Sequence, residues 1–188
     1  MRKVVYAINI TLDGRCDHTL VPPPAEDVME QYYIDLVREA GLFAYGRKTY
    51  ELMVPYWPDI AKDPAGSDQS DVDFARAFVA VGGTVVFSRT LEKAGSPNTR
   101  IVRTDPGDEI LKLKQEPGKD ILLGGVDIPS QLIKRDLVDE YRFVVAPIIA
   151  GHGRWLWESV GFEKSRSLRL VESKTFKSGA VALHYVKQ

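Results

Sequence analysis

Length, composition and charge place this chain among ordinary globular proteins. It has 188 residues, of which 44% are apolar and 27% charged, and its formal net charge is −1. This composition argues against a disordered, fibrous or membrane-spanning chain, and the lack of a basic excess argues against nucleic-acid binding. We predict one domain over residues 1–188. The single cysteine, Cys16, rules out an intramolecular disulfide and suits a reducing compartment, so the cytoplasm is expected.

The N-terminal third predicts two strands, each followed by a helix. The β-branched segment "KVVYAINITLDG" ends at an Asp-Gly turn pair, and "PAEDVMEQYYIDLVREAG" keeps apolar residues at helical spacing until Gly41. A short strand, "LFAY", ends at Gly46. The helix that begins with "RKTYELMVPYW" is expected to end at Pro55 and Pro58.

The middle of the chain continues this alternation. "DIAKDPAGSDQSD" is predicted to be a polar loop, and "VDFARAFVA" a helix. "TVVFS" and "TRIVRT" predict strands, and "PGDEILKLKQEPG" predicts a short helix. A strand over 121–123 then passes through a Gly-Gly pair into a helix over 127–134, with Asp127 as its cap and Pro129 in its first turn.

The last quarter changes the pattern from alternating helices and strands to paired strands. "VDEYRFVVAPIIAG" predicts a strand that runs into Pro147, and "SLRLVESKTF" and "AVALHYVKQ" predict a hairpin closed through Lys177, Ser178 and Gly179. The whole pattern therefore predicts an α/β fold, with a mostly parallel central sheet, flanking helices and an antiparallel C-terminal edge.

Ligands of open α/β sheets bind beyond the carboxyl ends of the strands, so the residues that follow each strand form the candidate site. In chain order they are Asp13 and Gly14; Gly46, Arg47, Lys48 and Thr49; Ser88, Arg89 and Thr90; and Gly124 and Gly125. Glycine just before a helix leaves free backbone N–H groups, which together with the helix dipole favour an anion. The hydroxyls and cations beside these turns suit a dinucleotide.

The cations indicate which dinucleotide to expect. Neither G-x-G-x-x-G nor G-x-x-x-x-G-K-[ST] occurs, so neither a Rossmann nor a P-loop site is predicted. A Rossmann site for NAD places an acid on the ribose 2′-hydroxyl, whereas the strand ends here carry Arg47, Lys48 and Arg89. If the ligand is a nicotinamide dinucleotide, these cations favour a 2′-phosphate, and hence NADPH.

Simpler interpretations stay open for each of these features. Gly124 and Gly125 can be turn residues alone, and Arg47 with Lys48 is typical of a solvated helix start. The histidines and Cys16 form no recognisable catalytic group, and no metal-ligand spacing occurs, so no metal site is predicted.

Five segments, taken in order, give the chain a family resemblance: "ITLDG", "YGRKTYE", "VVFSRT", "ILLGGVDIPSQLI" and "LVDEYRFVVAPIIAGHGRWLW". They resemble the dihydrofolate-reductase-like superfamily. Within it, they are most similar to the C-terminal reductase domain of bacterial bifunctional riboflavin-pathway deaminase-reductases and its stand-alone relatives. The resemblance runs from Lys3 to Lys187 and implies a three-layer dihydrofolate-reductase-like fold. Like the stand-alone relatives, the chain lacks the deaminase motifs H-x-E and P-C-x-x-C.

The resemblance also implies roles for individual residues at a cofactor site. The family's turn at the cofactor phosphates falls on Gly46, Arg47, Lys48 and Thr49, and its strand end near the adenosine 2′-phosphate falls on Ser88 and Arg89. The Gly-Gly turn, whose backbone lies against the pyrophosphate and nicotinamide side, falls on Gly124 and Gly125, followed by Val126 and Asp127. The residues whose backbone faces the nicotinamide correspond to Ala7 and Ile8.

A reductase of this kind also needs a proton source beside the aligned nicotinamide. Counting from Gly46, Glu30 lies where folate reductases carry their pocket acid on the first helix, with Glu26 and Asp27 as competitors one turn earlier. Asp13 matches the turn that borders the pocket and is the second candidate. Acids in a first helical turn also complement the helix dipole, so that interpretation stays open.

The resemblance implies an NADPH-dependent reductase of a pyrimidine- or pterin-like heterocycle, most like 5-amino-6-(5-phosphoribosylamino)uracil reductase of riboflavin biosynthesis. Dihydrofolate reductase activity and a non-catalytic nucleotide-binding dimer of the same fold are the alternatives. The expected partner is a small heterocyclic substrate, without nucleic acid or membrane. A homodimer is expected, because apolar residues of "PIIAGHGRWLW" and of the terminal hairpin would lie at or near a sheet edge.

Overall fold

The structure is a computed structural model that describes residues 1–158, 160–161 and 165–188. The strands are β1 (Val4–Thr11), β2 (Ala40–Gly46), β3 (Thr84–Phe87), β4 (Thr99–Val102), β5 (Asp120–Leu123), β6 (Glu140–Ala146), β7 (Leu168–Thr175) and β8 (Val181–Lys187). The helices are α1 (Glu26–Val28), α2 (Ile34–Glu39), α3 (Arg47–Lys62), α4 (Gln69–Val79), α5 (Pro106–Gln115) and α6 (Asp127–Lys134), with a π-helical segment, Met29–Tyr33, between α1 and α2.

The eight strands form one sheet in the order β4-β3-β2-β5-β1-β6-β8-β7. The six strands from β4 to β6 in this order are parallel to their neighbours. The terminal hairpin, β7 and β8, adds to β6 in the antiparallel sense. The predicted mostly parallel sheet with an antiparallel C-terminal edge is confirmed.

Two hydrophobic cores lie on opposite faces of this sheet. Because side chains alternate along a strand, Val4 and Tyr6 of β1 pack into the core beneath α5 and α6. Val5 and Ala7 instead face the layer made by the first helices together with α3 and α4. Helices therefore cover both faces, which confirms the three-layer architecture. No helix in the described part of the chain is both long and apolar enough to cross a membrane.

The prediction that prolines end the second helix is wrong. Helix α3 continues through both Pro55 and Pro58 to Lys62, so the first residues of the predicted polar loop are helical. Proline removes a helical hydrogen bond, and packing outweighs that loss here. Beyond Pro55, the Trp57 ring lies 4.4 Å from the ring of Phe74 on α4, measured between centroids, and this contact fixes the last turns of α3.

The first predicted helix is present but is not a regular α-helix. Its middle part is the π-helical segment, closed by a hydrogen bond from the backbone N–H of Ile34 to the carbonyl of Met29. Such a widened turn changes which side chains face the sheet, and π-helical turns are frequent at functional sites. Met29 is buried in the core, whereas Glu30, the next residue, is exposed to solvent.

Candidate functional site

Strand β5 is shorter than the strands beside it, and this leaves a gap at the carboxyl edge of the sheet. β5 ends at Leu123, which pairs with Tyr6 of β1. β1 continues to Thr11 in register with β6, and β2 continues to Gly46. Among the described strands, residues 7–10 of β1 thus have a neighbour on the β6 side only. We call this gap, bounded by residues 7–10 and by the turn that follows β5, the carboxyl-edge notch.

The base of the notch is the turn at Gly124 and Gly125. The buried Tyr6 hydroxyl donates a hydrogen bond to the Gly125 carbonyl at 2.9 Å. A Cβ on Gly124 would lie 2.8 Å from the Tyr45 ring, and one on Gly125, which has φ +85°, would overlap the Thr49 hydroxyl oxygen. The packing of this turn against β2 and α3 therefore requires both glycines, whether or not a ligand binds.

Two helices begin beside this turn, and neither has a side-chain cap. Gly46 occupies the N-cap position of α3 and Val126 that of α6, and neither helix start has a capping side-chain hydrogen bond. A Cβ on Gly46 would lie 3.3 Å from the Ile128 side chain, so the two helix starts are in close contact. Their free backbone N–H groups and helix dipoles form an anion-attracting surface at the rim of the notch.

The prediction that Asp127 caps α6 is wrong. Asp127 is the first residue inside the helix, and its carboxylate accepts a 2.6 Å hydrogen bond from Arg154. The same ion pair raises the pKa of Arg154. An acid beside a phosphate would repel it, and the Arg154 guanidinium offsets this charge. Pro129 lies in the first turn of α6, as predicted. Because proline has no backbone N–H, the start of α3 offers more N–H donors than the start of α6.

Arg47 and Ser88 shape the loop that follows β3. Arg47 binds Glu51 at 2.7 Å through Nε and donates to the Thr90 hydroxyl at 3.0 Å through a terminal nitrogen. The Ser88 hydroxyl accepts from the backbone N–H groups of Thr90 and Leu91 at 3.2 and 2.9 Å. Both predicted cofactor residues are therefore engaged in holding this loop against α3.

The charges left for a ligand at this rim come from three other cations. Arg89 and Lys48 are exposed and make no ion pair within the described ranges. Arg103, directly after β4, donates to the Leu91 carbonyl at 2.8 Å and so joins the same loop. Because β4, β3 and β2 are adjacent and parallel, their carboxyl ends gather these cations on one side of the notch.

The two predicted proton donors differ in their surroundings. Glu30 is on the exposed side of the π-helical segment. Asp13 accepts hydrogen bonds from the Thr11 hydroxyl at 2.6 Å and from the backbone N–H groups of Ala150 and Gly151 at 3.1 and 2.9 Å. These bonds hold the pKa of Asp13 far below its usual range, so at neutral pH the carboxylate is ionised and anchors the loop after β6.

The lowered pKa of Asp13 predicts a pH-dependent effect of Asp13→Asn. A group with a depressed folded-state pKa contributes its stability above the unfolded pKa, about 3.9 for aspartate, and loses it as the pH falls below that value. We therefore expect Asp13→Asn to be less stable than the wild type in urea unfolding at pH 7. The difference should begin to shrink at about pH 3, because the carboxylate of the unfolded chain takes up a proton there while that of the folded protein stays ionised.

Asp59→Asn, which changes an exposed carboxylate on α3, is the control for this comparison. A stability difference for Asp13→Asn that is the same at both pH values would contradict the assignment of Asp13 as an ionised anchor.

The competing acid, Asp27, is held by the terminal hairpin. One carboxylate oxygen accepts from the backbone N–H of Ser178 at 3.0 Å, and this bond lowers the pKa of Asp27. The other oxygen is buried and has no partner among the described residues. Asp27 therefore ties the start of α1 to the hairpin between β7 and β8.

A polar pair that the sequence did not single out lies on the helix-layer side of the notch. Asn9 is on β1, and the Tyr33 hydroxyl donates a hydrogen bond to its side-chain oxygen. Burial raises the pKa of Tyr33, so its hydroxyl keeps its proton at neutral pH. The available signal was one asparagine within the run "VVYAINI", whose other residues are all hydrophobic.

Comparison with known proteins identifies the family. The family model of the RibD C-terminal domain matches residues 2–182. The chain belongs to the RibD C-terminal domain family. YyaP of Bacillus subtilis (strain 168) is 28% identical over 192 residues, covering 98% of this chain and 94% of YyaP.

Two of the solved structures that match this chain illustrate its fold. One is a Shewanella sp. PV-4 protein assigned to riboflavin biosynthesis, with a TM-score of 0.71, 18% identity and 99% of both chains covered. The other is the diaminohydroxyphosphoribosylaminopyrimidine deaminase/5-amino-6-(5-phosphoribosylamino)uracil reductase of Thermotoga maritima, with a TM-score of 0.65 and 14% identity. All of this chain matches 57% of that bifunctional protein. The predicted dihydrofolate-reductase-like fold is confirmed.

The predicted residues that follow the parallel strands lie at one edge of the sheet. The ends of β2, β3 and β5 are adjacent, and they bring Gly46, Ser88 and Gly124 to one edge of the sheet. Sequence reasoning missed Arg103, although this residue directly follows the strand "TRIV". The role of each of these residues in binding stays a prediction.

Proposed function

We propose that this protein is an NADPH-dependent reductase of a pyrimidine-like heterocycle, most like 5-amino-6-(5-phosphoribosylamino)uracil reductase. The observation that carries the proposal is the carboxyl-edge notch, with two uncapped helix starts and a group of cations at its rim. The family supports a reductase fold, and the name of the Thermotoga maritima relative supplies the reaction.

The residues present fit NADPH. The free N–H groups at the start of α3 would hold the pyrophosphate, because the N-cap residue there, Gly46, offers them no side-chain acceptor. Arg89 and Arg103 would hold the 2′-phosphate, since charge-assisted bonds from arginine to phosphate are strong. The open edge of residues 7–10 would lie beside the nicotinamide, in line with the roles predicted for Ala7 and Ile8. When bound, NADPH supplies the hydride.

We propose that the accompanying proton comes from solvent. Glu30 is exposed, Asp13 is ionised within its own loop, and Asp27 is held by Ser178. The protein then aligns NADPH with the substrate and supplies no carboxylic acid. Alignment alone substantially lowers the barrier to hydride transfer.

Turnover with two candidate substrates tests this proposal. The protein is mixed with NADPH and either 5-amino-6-(5-phosphoribosylamino)uracil or 7,8-dihydrofolate, and the loss of reduced-nicotinamide absorbance is followed, with NADH as the matched control cofactor. We expect turnover with the pyrimidine and at least about tenfold lower kcat/KM with NADH, because the 2′-phosphate contacts are lost. Turnover with dihydrofolate alone would support the alternative activity. The absence of NADPH binding in a thermal-shift assay would overturn the proposal.

We also propose that the protein forms a homodimer. Apolar side chains are exposed after β6 and on the edge strand β7, among them Ile149, Trp155, Leu170 and Val171. Exposed apolar side chains and an unpaired strand edge are typical of association surfaces. Light scattering is expected to give twice the 21.0 kDa chain mass for the wild type. A monomer at every concentration tested would contradict the proposal.

A further inference from the structure

Asn9 is a polar side chain that follows two apolar positions on one face of β1. On β1 it follows Val5 and Ala7 on the face toward the first helices, and its register partner on β6 is the buried Val144. A polar group at such a position costs free energy unless it is hydrogen-bonded. The chain nevertheless places an amide there, directly beside the notch.

Tyr33 fixes the orientation of this amide. Its hydroxyl donates to the Asn9 side-chain oxygen, and its own ring is held against Tyr32, with ring centroids 5.5 Å apart in an edge-to-face arrangement. Because Tyr33 stays protonated, it acts as a neutral donor, and the Asn9 oxygen is the atom that receives it. The Asn9 nitrogen is therefore directed away from Tyr33.

The Asn9 nitrogen carries two N–H donors without a described acceptor. No hydrogen bond leaves it within the described residues, and it is not among the buried side-chain atoms that lack a partner. Asn9 is only partly buried, and its nitrogen lies at a level of β1 where β5 has already ended. A fixed amide donor beside the notch can donate a hydrogen bond to an acceptor atom of a bound ligand.

We infer that Asn9 is a specificity-determining residue that donates to a carbonyl oxygen or ring nitrogen of the heterocycle and so positions the substrate for hydride transfer. Tyr33 is its positioning residue. This inference rests on the proposed function, and it narrows the substrate class to heterocycles with a hydrogen-bond acceptor on that edge, as pyrimidinones and pteridinones have. A site built to bond one polar group discriminates strongly against analogues that lack it.

The test compares Asn9→Asp with Asn98→Asp. Asn9→Asp keeps the shape and the oxygen that accepts from Tyr33, but it replaces the donor with a negatively charged acceptor. Asn98 is the other asparagine of the chain and precedes β4 at the opposite end of the sheet, so Asn98→Asp makes the same chemical change away from the notch. Tyr33→Phe removes only the positioning hydroxyl.

For Asn9→Asp we expect kcat/KM with 5-amino-6-(5-phosphoribosylamino)uracil to fall about 100-fold or more, with NADPH affinity unchanged, because the donor contacts the substrate rather than the cofactor. Tyr33→Phe should raise KM about tenfold and leave kcat and the pH profile in place, because Tyr33 orients Asn9 and transfers no proton. Asn98→Asp should have the kcat/KM and the NADPH affinity of the wild type. Melting temperatures of all variants separate these effects from loss of folding.

The outcomes distinguish the inference from the proposed function. A wild type that turns over the pyrimidine, together with an Asn9→Asp variant of unchanged kcat/KM, would overturn the role of Asn9 and leave the reductase proposal standing. A loss of NADPH affinity in Asn9→Asp equal to its loss of turnover would also overturn it, because Asn9 would then act on the cofactor. A wild type that oxidises NADPH with neither the pyrimidine nor dihydrofolate contradicts the proposed function, and the inference falls with it.

Discussion

Replacing Gly125 with alanine is expected to destabilise the protein by about 2–4 kcal/mol. Gly125 has φ +85°, a conformation that costs an L-residue free energy, and the new Cβ would overlap the Thr49 hydroxyl oxygen. The turn cannot move away easily, because the Tyr6 hydroxyl holds the Gly125 carbonyl at 2.9 Å. The free energy of unfolding in urea measures the loss.

Gly66→Ala separates backbone strain from the overlap of the new Cβ as causes of the loss of stability. Gly66 has φ +82°, close to the value at Gly125, but a Cβ there would meet no atom within 4 Å. Its substitution should therefore report backbone strain alone, about 1 kcal/mol. Thr49→Ala in combination with Gly125→Ala should recover part of the loss, as a double-mutant cycle would show. Equal destabilisation by Gly66→Ala and Gly125→Ala would contradict the packing explanation.

Substitution of Gly125 cannot show whether the turn contacts NADPH. A Gly125 variant that fails to bind NADPH can do so because the turn no longer packs against α3, so the loss would not identify a cofactor contact. Substitution of exposed cations avoids this problem, since surface changes of this kind usually alter stability little.

The double variant Arg89→Ala, Arg103→Ala is expected to raise the NADPH dissociation constant about 10–100-fold and to leave NADH binding unchanged. Arg89 is exposed without an ion pair in the described part of the chain, and Arg103 reaches the same loop through the Leu91 carbonyl. The two guanidinium groups would contact the 2′-phosphate, which NADH lacks. Titration of each cofactor, at low and at high salt, measures the difference.

Arg169→Ala is the matched control for charge. Arg169 is an exposed cation on β7, at the opposite edge of the sheet from β4, and its loss should leave both affinities in place. The preference of the wild type for NADPH should weaken at high salt, because exposed charges are screened. An equal loss of NADPH and NADH affinity in the double variant would show that the arginines act on the loop rather than on the 2′-phosphate.

Local patterns predicted the elements that form the notch. The strand–glycine–helix segment at β5 and α6 was predicted over 121–123 and 127–134, and the structure has Asp120–Leu123 and Asp127–Lys134. A short apolar run, a Gly-Gly pair and a proline in a first turn are signals that depend on near neighbours in sequence. The adjacency of β2, β3 and β5 then follows from parallel α/β topology.

The errors arose where distant contacts decide the local structure. Pro55 and Pro58 do not end α3, because packing of Trp57 on Phe74 holds its last turns. Glu30 was placed by counting along the chain from Gly46, and such a count does not reveal that the residue lies exposed in a π-helical segment. Tyr33 and Asn9 are 24 residues apart, so their hydrogen bond could not be read from spacing along one element.

A crystal structure of the protein grown with NADPH is the decisive test of cofactor binding at the carboxyl-edge notch. We expect the pyrophosphate at the start of α3 beside Gly46, the 2′-phosphate at Arg89 and Arg103, and the nicotinamide in the notch along residues 7–10 of β1. An NADPH molecule bound elsewhere, or a notch without NADPH at concentrations that saturate the protein in solution, would contradict this placement.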